Sequence, residues 1–209
     1  KYVKPTERTR VILALARCFK KRRYQSSANR WYQMLLQRKL IPAVEFEASL
    51  YTFHYQVLRR SYYYRAGKKI QALLRRVRLI AQQLGRPMSR KEQVKLLWAE
   101  CNFWYRTRKY KKALQQCKAL LQGPFPPARR YQGATIVSQI LKVPWGRRVA
   151  STEGKILVQN LKTLSKDASS PNISGMSALL IAATTMRALD QFDKGMRLYK
   201  RIMQTHPRR

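Results

Sequence analysis

Acid–base, nucleophilic and metal chemistry needs carboxylates, imidazoles or thiols in a defined constellation, and this sequence has few of them. Its acids are Asp167, Asp190, Asp193, Glu7, Glu45, Glu47, Glu92, Glu100 and Glu153, and its histidines are His54 and His206. Glu45 and Glu47 form the only close glutamate pair. Two residues apart on a helix they point to different sides, which suits pairing with arginine or water rather than a shared proton. Asp190 and Asp193 fall at the turn and second-helix start of the last helical hairpin, where carboxylates serve free amides and the helix dipole. Cys18, Cys101 and Cys117 are odd in number with no C-x-x-C pair, so they read as buried structural thiols in a reducing compartment and not as a zinc site or disulfide framework. No G-x-x-x-x-G-K-S/T loop, G-x-G-x-x-G turn or H-E-x-x-H pair occurs. The expectation is a protein that is not an enzyme, with no metal, no cofactor and no small-molecule substrate.

The abundant chemistry is cationic. Against 9 acids stand 45 lysines and arginines, a net charge of +36 whose self-repulsion calls for a polyanionic partner. One cluster is Lys20, Lys21, Arg22 and Arg23, and a second is Arg59, Arg60 and Arg65 around Tyr62, Tyr63 and Tyr64. Lys68, Lys69, Arg75, Arg76 and Arg78 follow, then Arg106, Arg108, Lys109, Lys111 and Lys112, and then Arg129 and Arg130. Several close helices, where a cation also stabilises the dipole, but that local use does not account for the total. Spread along the chain and not gathered in one polybasic run, the charge fits nucleic acid better than a membrane surface. Arginine forks hold phosphate and stack on bases, which suits folded RNA. Tyr62, Tyr63 and Tyr64 can stack on splayed nucleotides or pack between hairpins. Residues 1–130 carry 32 basic and 5 acidic groups, net +27, and residues 131–209 carry 13 and 4, net +9. The first region is therefore expected to face RNA and the second to meet protein neighbours.

These side chains need a scaffold, and with 45% hydrophobic residues the chain can build one. Apolar residues recur mostly at three- and four-residue spacing, as in Val11, Leu13, Leu15 and Phe19 or Leu96, Leu97, Cys101 and Trp104, with no sustained period-2 run. The fold is predicted to be all-α. Pro42, Gly85 to Pro87, Gly123 to Pro127, Pro144 to Gly146 and Ser169 to Gly175 punctuate it. The segments between them pair as hairpins over 8–42, 44–84, 89–124, 127–165 and 175–207. Ser89 and Glu92 read as a capping box that opens a helix. No apolar stretch approaches the ~20 residues of a membrane span, and the start carries no signal-peptide pattern.

Three hairpins share a pattern. Ala16, Phe19, Ala28, Tyr32 and Leu35 lie at offsets 0, 3, 12, 16 and 19. Cys101, Trp104, Ala113, Cys117 and Leu120 repeat those offsets, as do Ala183, Met186, Gly195, Tyr199 and Ile202. Small residues at the first and third places let antiparallel helices approach closely, while the larger ones fill the gap to the next hairpin.

On these residues the chain resembles the tetratricopeptide and pentatricopeptide repeat families. Tyr110-Lys111-Lys112-Ala113-Leu114 and Phe192-Asp193-Lys194-Gly195 look like starts of a tetratricopeptide second helix, and Pro207 sits where that repeat ends. Ala28, Tyr32, Leu35 and Lys39-Leu40-Ile41-Pro42 look more pentatricopeptide-like. The resemblance covers about half the chain. Its repeats, 85 and 82 residues apart, are not multiples of the families' roughly 34 or 35, so it implies a divergent α-solenoid of about five antiparallel hairpins. Leu13 and Ala43 stand where base-reading pentatricopeptide repeats carry polar residues, which implies backbone and shape recognition. Helical-repeat proteins this basic are similar to proteins of mitochondrial ribosomes, which implies a structural rRNA-binding role, neighbouring ribosomal proteins as partners and the mitochondrial matrix as location. The first residue, Lys1, fits a targeting segment removed before it or a boundary set elsewhere. The alternatives are an organellar RNA-processing or stability factor and a tetratricopeptide-type docking adaptor for acidic peptides. The first would call for a regular base-reading column, and the second leaves +36 unexplained.

Overall fold

The computed structural model of the chain describes residues 5–58, 63–141, 143, 156–163, 180 and 192–205. Its helices are α1 (Pro5–Lys21), α2 (Gln25–Leu36), α3 (Pro42–Leu58), α4 (Tyr63–Gln83), α5 (Arg90–Arg106), α6 (Tyr110–Gln122), α7 (Pro127–Leu141), α8 (156–163) and α9 (Phe192–Thr205). Among the described residues there is no strand, and the fold is all-α. No described helix is long and apolar enough to cross a membrane.

The breakers act at helix ends. Pro5, Pro42 and Pro127 each take the first helical position, where a missing N–H costs nothing and the fixed φ suits the helix. Gly85, at φ +63, lies just past the end of α4. The capping box forms at the start of α5: the Ser89 N–H donates to Glu92 Oε2 at 2.7 Å, and the Glu92 N–H to Ser89 Oγ at 3.4 Å. Arg86 donates to both oxygens of the same carboxylate at 3.0 and 2.9 Å. The Arg86 hydrogen bond, with those from Ser89, outweighs partial desolvation and holds the Glu92 carboxyl down at about 2.

Two helices end alike. At the end of α1 the Tyr24 N–H donates to the Phe19 carbonyl at 2.9 Å and the Arg23 N–H to that of Lys20 at 3.2 Å. At the end of α5 the Lys109 N–H donates to the Trp104 carbonyl at 2.9 Å and the Arg108 N–H to that of Tyr105 at 3.0 Å. This is the Schellman arrangement, whose pivot residue has a left-handed backbone, and Arg23 (φ 64) and Arg108 (φ 58) occupy that pivot. The first of these ends also has the apolar contact that accompanies the motif, and the second has a cation over an aromatic ring in its place. Phe19 and Tyr24 meet edge to face at 6.3 Å, and Lys109 Nζ lies 5.4 Å from the Trp104 ring centroid.

The chain divides into two compact units, Lys1–Ala99 and Glu100–Arg209, with the boundary inside α5. In the first, α1 packs on α2, α2 on α3 and α3 on α4. Ala16 and Ala28, the small residues of the first hairpin, are fully buried. Ile12, Ala16, Tyr32, Leu35 and Ala48 form one cluster, with Leu13, Trp31 and Tyr51 against it. The middle helix α3 has neighbours on both sides, so it buries two faces, Phe46, Leu50, Phe53 and Val57 along one and Ala48, Thr52 and Tyr55 along the other. Helix α4 shows the stripe, turning in Ile70, Leu74, Val77 and Ile80.

In the second unit Cys101, Trp104, Ala113, Cys117 and Leu120 are all buried, as their counterparts Ala16, Ala28, Tyr32 and Leu35 are in the first. Helix α6 packs on α7. At Gly133 the helices come so close that a Cβ would lie 3.1 Å from Leu120 Cδ2. In the last repeat Gly195 is buried and Tyr199 is 37% exposed, while Ala183 and Met186 lie outside the described residues.

Candidate nucleic-acid interface

The carboxylates come first, because each one that neutralises a cation internally removes it from a nucleic-acid surface. Glu47 leaves α3 toward α1 and α2. It accepts from Arg17 Nη2 at 2.7 Å, from the Tyr32 hydroxyl at 2.7 Å and from Lys20 Nζ at 3.5 Å. Burial pushes its carboxyl up, but the bonds from Arg17 and Tyr32 and the Lys20 charge outweigh that and leave it lowered. Burial and the bond to Glu47 push the Tyr32 hydroxyl far up. Glu45, two residues earlier, leaves the other side of α3 and accepts from Arg76 Nε of α4 at 2.8 Å. The divergence expected from the i, i+2 spacing is met, and both glutamates pair with arginine. Glu92 is committed to Arg86, and buried Glu100 also has a partner within the chain.

The expected RNA-contacting residues then separate by what the fold asks of them. Lys20 is half-buried, held by Glu47 and lying 5.9 and 5.7 Å from the ring centroids of Tyr32 and Tyr51. Beside it Lys21, Arg22 and Arg23 are exposed at the α1–α2 turn. On α4 Lys68, Lys69, Arg75, Arg76 and Arg78 all face outward, opposite the buried stripe. Arg76 is spent on Glu45 and Arg78 also has an interaction within the chain. At the α5–α6 turn Arg106 is half-buried and engaged, whereas Arg108 and Lys111 are exposed. Lys112 Nζ lies 4.9 Å from the Trp104 ring centroid, on the same ring as Lys109.

Arg129 and Arg130 serve the α6–α7 connection. Arg130 Nε donates to the Leu121 carbonyl at 3.1 Å, satisfying an open acceptor in the last turn of α6, and Arg129 donates to Gln132 at 2.8 Å. Arg59, Arg60 and Tyr62 lie outside the described residues, and the side chains of Tyr63, Tyr64 and Arg65 are likewise not among those described. Three exposed groups therefore remain with cations directed outward: Lys21, Arg22 and Arg23; Lys68, Lys69 and Arg75; Arg108 and Lys111.

Sequence reasoning passed over Arg17 and Arg86, the partners of Glu47 and Glu92. It also passed over the exposed Arg30, Lys39, Arg90, Lys91 and Lys118, which stand singly or in pairs and so form no run. Of the remaining reactive groups, Cys101 and Cys117 are buried as expected, whereas Cys18 is exposed. His54 lies against Trp98 with ring centroids 5.2 Å apart. Burial and a hydrogen bond with Cys117 push the Cys101 thiol well up, so it stays a thiol. Among the described residues no three His, Cys, Asp or Glu side chains gather as a metal site would need. What the surface offers is an array of guanidinium and ammonium groups on a helical frame. Compared with protein-family models, curated proteins and solved structures, the chain matches none.

Proposed function

We propose that this chain is a structural rRNA-binding protein of a mitochondrial ribosome, holding rRNA by phosphate contacts that do not depend on base sequence. The observation that carries the reading is the direction of the charge. The net charge is +36, and Glu45, Glu47 and Glu92 are consumed by internal arginine pairs. The first unit turns Lys21, Arg22 and Arg23 outward at one turn and Lys68, Lys69 and Arg75 outward on one helix face. An exposed array of that kind suits a polyanion, and many weak phosphate contacts give an affinity that falls steeply with salt. The ribosomal and mitochondrial assignment, and a solenoid arrangement of the hairpins, come from the resemblance to basic helical-repeat proteins. The matching burial of the first and third hairpins supports that resemblance.

Titrating the purified protein with labelled rRNA fragments and unrelated RNAs at several salt concentrations tests the reading. Similar affinities for all RNAs, with a log-log salt slope of roughly −4 or steeper, the value for ~6 phosphates at ~0.7 each, are expected. Strong preference for one sequence, or a flat salt dependence, would count against it.

A further inference from the structure

The Schellman pivot is a place where glycine is favoured, because a left-handed backbone crowds the Cβ of any other L-residue. This chain puts arginine there twice, Arg23 and Arg108, each seven residues after the first position of the repeat, Ala16 and Cys101. The backbone hydrogen bonds donated by Arg22, Arg23, Tyr24 and Ala28 at the first turn are repeated by Thr107, Arg108, Lys109 and Ala113 at the second, so the two turns are built alike. Helix-dipole chemistry does not require these arginines, since Lys20 and Lys21 already close α1 and Arg106 closes α5. Neither takes part in an ion pair among the described residues, and both are exposed. The amides of Arg23, Tyr24, Arg108 and Lys109 donate to carbonyls of their own turns, so at the two pivots it is the arginine side chains that can meet an anion.

We infer that the α1–α2 and α5–α6 turns are two equivalent phosphate seats, with Arg23 and Arg108 as the side chains that take the RNA backbone. The inference builds on the RNA-binding reading and assigns it two points of contact, one in each compact unit. The left-handed backbone fixes the direction in which each arginine leaves its turn. Around it the turn is braced by an aromatic contact, Phe19 on Tyr24 in one and Trp104 under Lys109 in the other. A rigid tip carrying a bidentate donor suits a phosphodiester better than a flexible lysine run would. The neighbouring free cations, Arg22 at one tip and Lys111 at the other, add charge without the fixed geometry.

The test compares R23G/R108G and R23N/R108N with the charge-matched K194A/K200A, using a fluorescein-labelled oligouridylate, a labelled RNA duplex and labelled poly-glutamate as probes. Glycine and asparagine both accept the left-handed backbone, so the folds should hold and R23G/R108G should melt no lower than the parent. Both turn variants should bind both RNAs roughly tenfold more weakly at physiological salt, and the salt slope on the oligouridylate should fall by about 1.4, two phosphates at ~0.7 each. K194A/K200A should change neither by as much. Parent-like RNA affinity and slope in both turn variants, with the parent itself binding RNA, would overturn the two seats and leave the RNA-binding reading standing. Failure of the parent to bind either RNA would overturn both. Loss of poly-glutamate binding with RNA affinity intact would assign the turns to an acidic protein and refute the inference, as would a lower melting temperature in both turn variants with unchanged RNA affinity.

Discussion

Replacing Glu47 with alanine removes the acceptor that joins three helices, and its cost can be worked from the hydrogen bonds it accepts. Tyr32 is fully buried and its hydroxyl donates to Glu47 at 2.7 Å, so the variant leaves that donor without its partner; an unsatisfied buried donor costs about 1–3 kcal/mol. The Arg17 side chain is 57% exposed and returns to water, so its share is only the ~0.2–1 kcal/mol of a surface ion pair. The Lys20 contact at 3.5 Å adds little. The sum is about 2 kcal/mol, or roughly 4–8 °C in Tm for a cooperative chain of this size. Thermal and denaturant melts of Glu47→Ala, Tyr32→Phe and the double variant form a cycle whose coupling should be ~1–2 kcal/mol. Because the folded carboxyl is lowered, its contribution is whole above the ordinary value of 4.5 and is lost as the pH falls through the lowered one. The Glu47→Ala penalty should therefore shrink in acid. Additive single-variant costs, or a penalty that grows as the pH falls, would refute the reasoning.

The start of α5 gives a second pH signature: Glu92, held at about 2, should help stability fully above about pH 4.5 and lose its effect as the pH falls toward 2, and Glu92→Gln should abolish that dependence in circular-dichroism melts. Ser89→Ala removes the other half of the capping box and should cost ~1 kcal/mol in the same melts. Ala113→Trp should lower Tm far more than Lys112→Ala, since Ala113 is fully buried while Lys112 is exposed over Trp104; overpacking costs at least ~1–3 kcal/mol. Gly133→Val should destabilise too, because even a Cβ would press on Leu120 at 3.1 Å. Neutralising Arg59, Arg60, Arg65, Lys68 and Lys69 should flatten the RNA salt dependence more than neutralising Lys155, Lys162, Lys166, Lys194 and Lys200, by up to ~0.7 of slope for each phosphate that no longer meets a cation.

Local patterns were legible in the sequence to the extent that their physics is local. The all-α fold followed from apolar spacing, the start of α5 from Ser89 and Glu92, and the opposite directions of Glu45 and Glu47 from helical geometry. Of the five offsets shared by the first and third hairpins, four marked positions buried in both, and at the other Trp104 is buried and Phe19 half-buried. Partnerships between distant residues were not legible. Arg17 reaches Glu47 across 30 residues and Arg76 reaches Glu45 across 31, so each pair depends on how helices pack and not on any spacing. The clusters named as RNA-facing mixed free cations with structural ones for the same reason: nothing in the run of Lys20 to Arg23 separates Lys20, which turns inward onto Tyr32 and Tyr51, from its exposed neighbours. The left-handed turns were hidden because their usual sign is glycine or asparagine, and arginine stands there instead. Only the internal alignment, extended to its eighth position, would have paired Arg23 with Arg108.

The central claim is best tested by sedimenting a mitochondrial lysate through sucrose gradients at graded salt, with and without ribonuclease, and detecting this chain across the fractions. The account predicts that the chain travels with a ribosomal subunit, leaves it as salt rises, and moves to the top of the gradient once the RNA is digested. A chain found at the top under all conditions, or in a protein complex indifferent to ribonuclease, would contradict it.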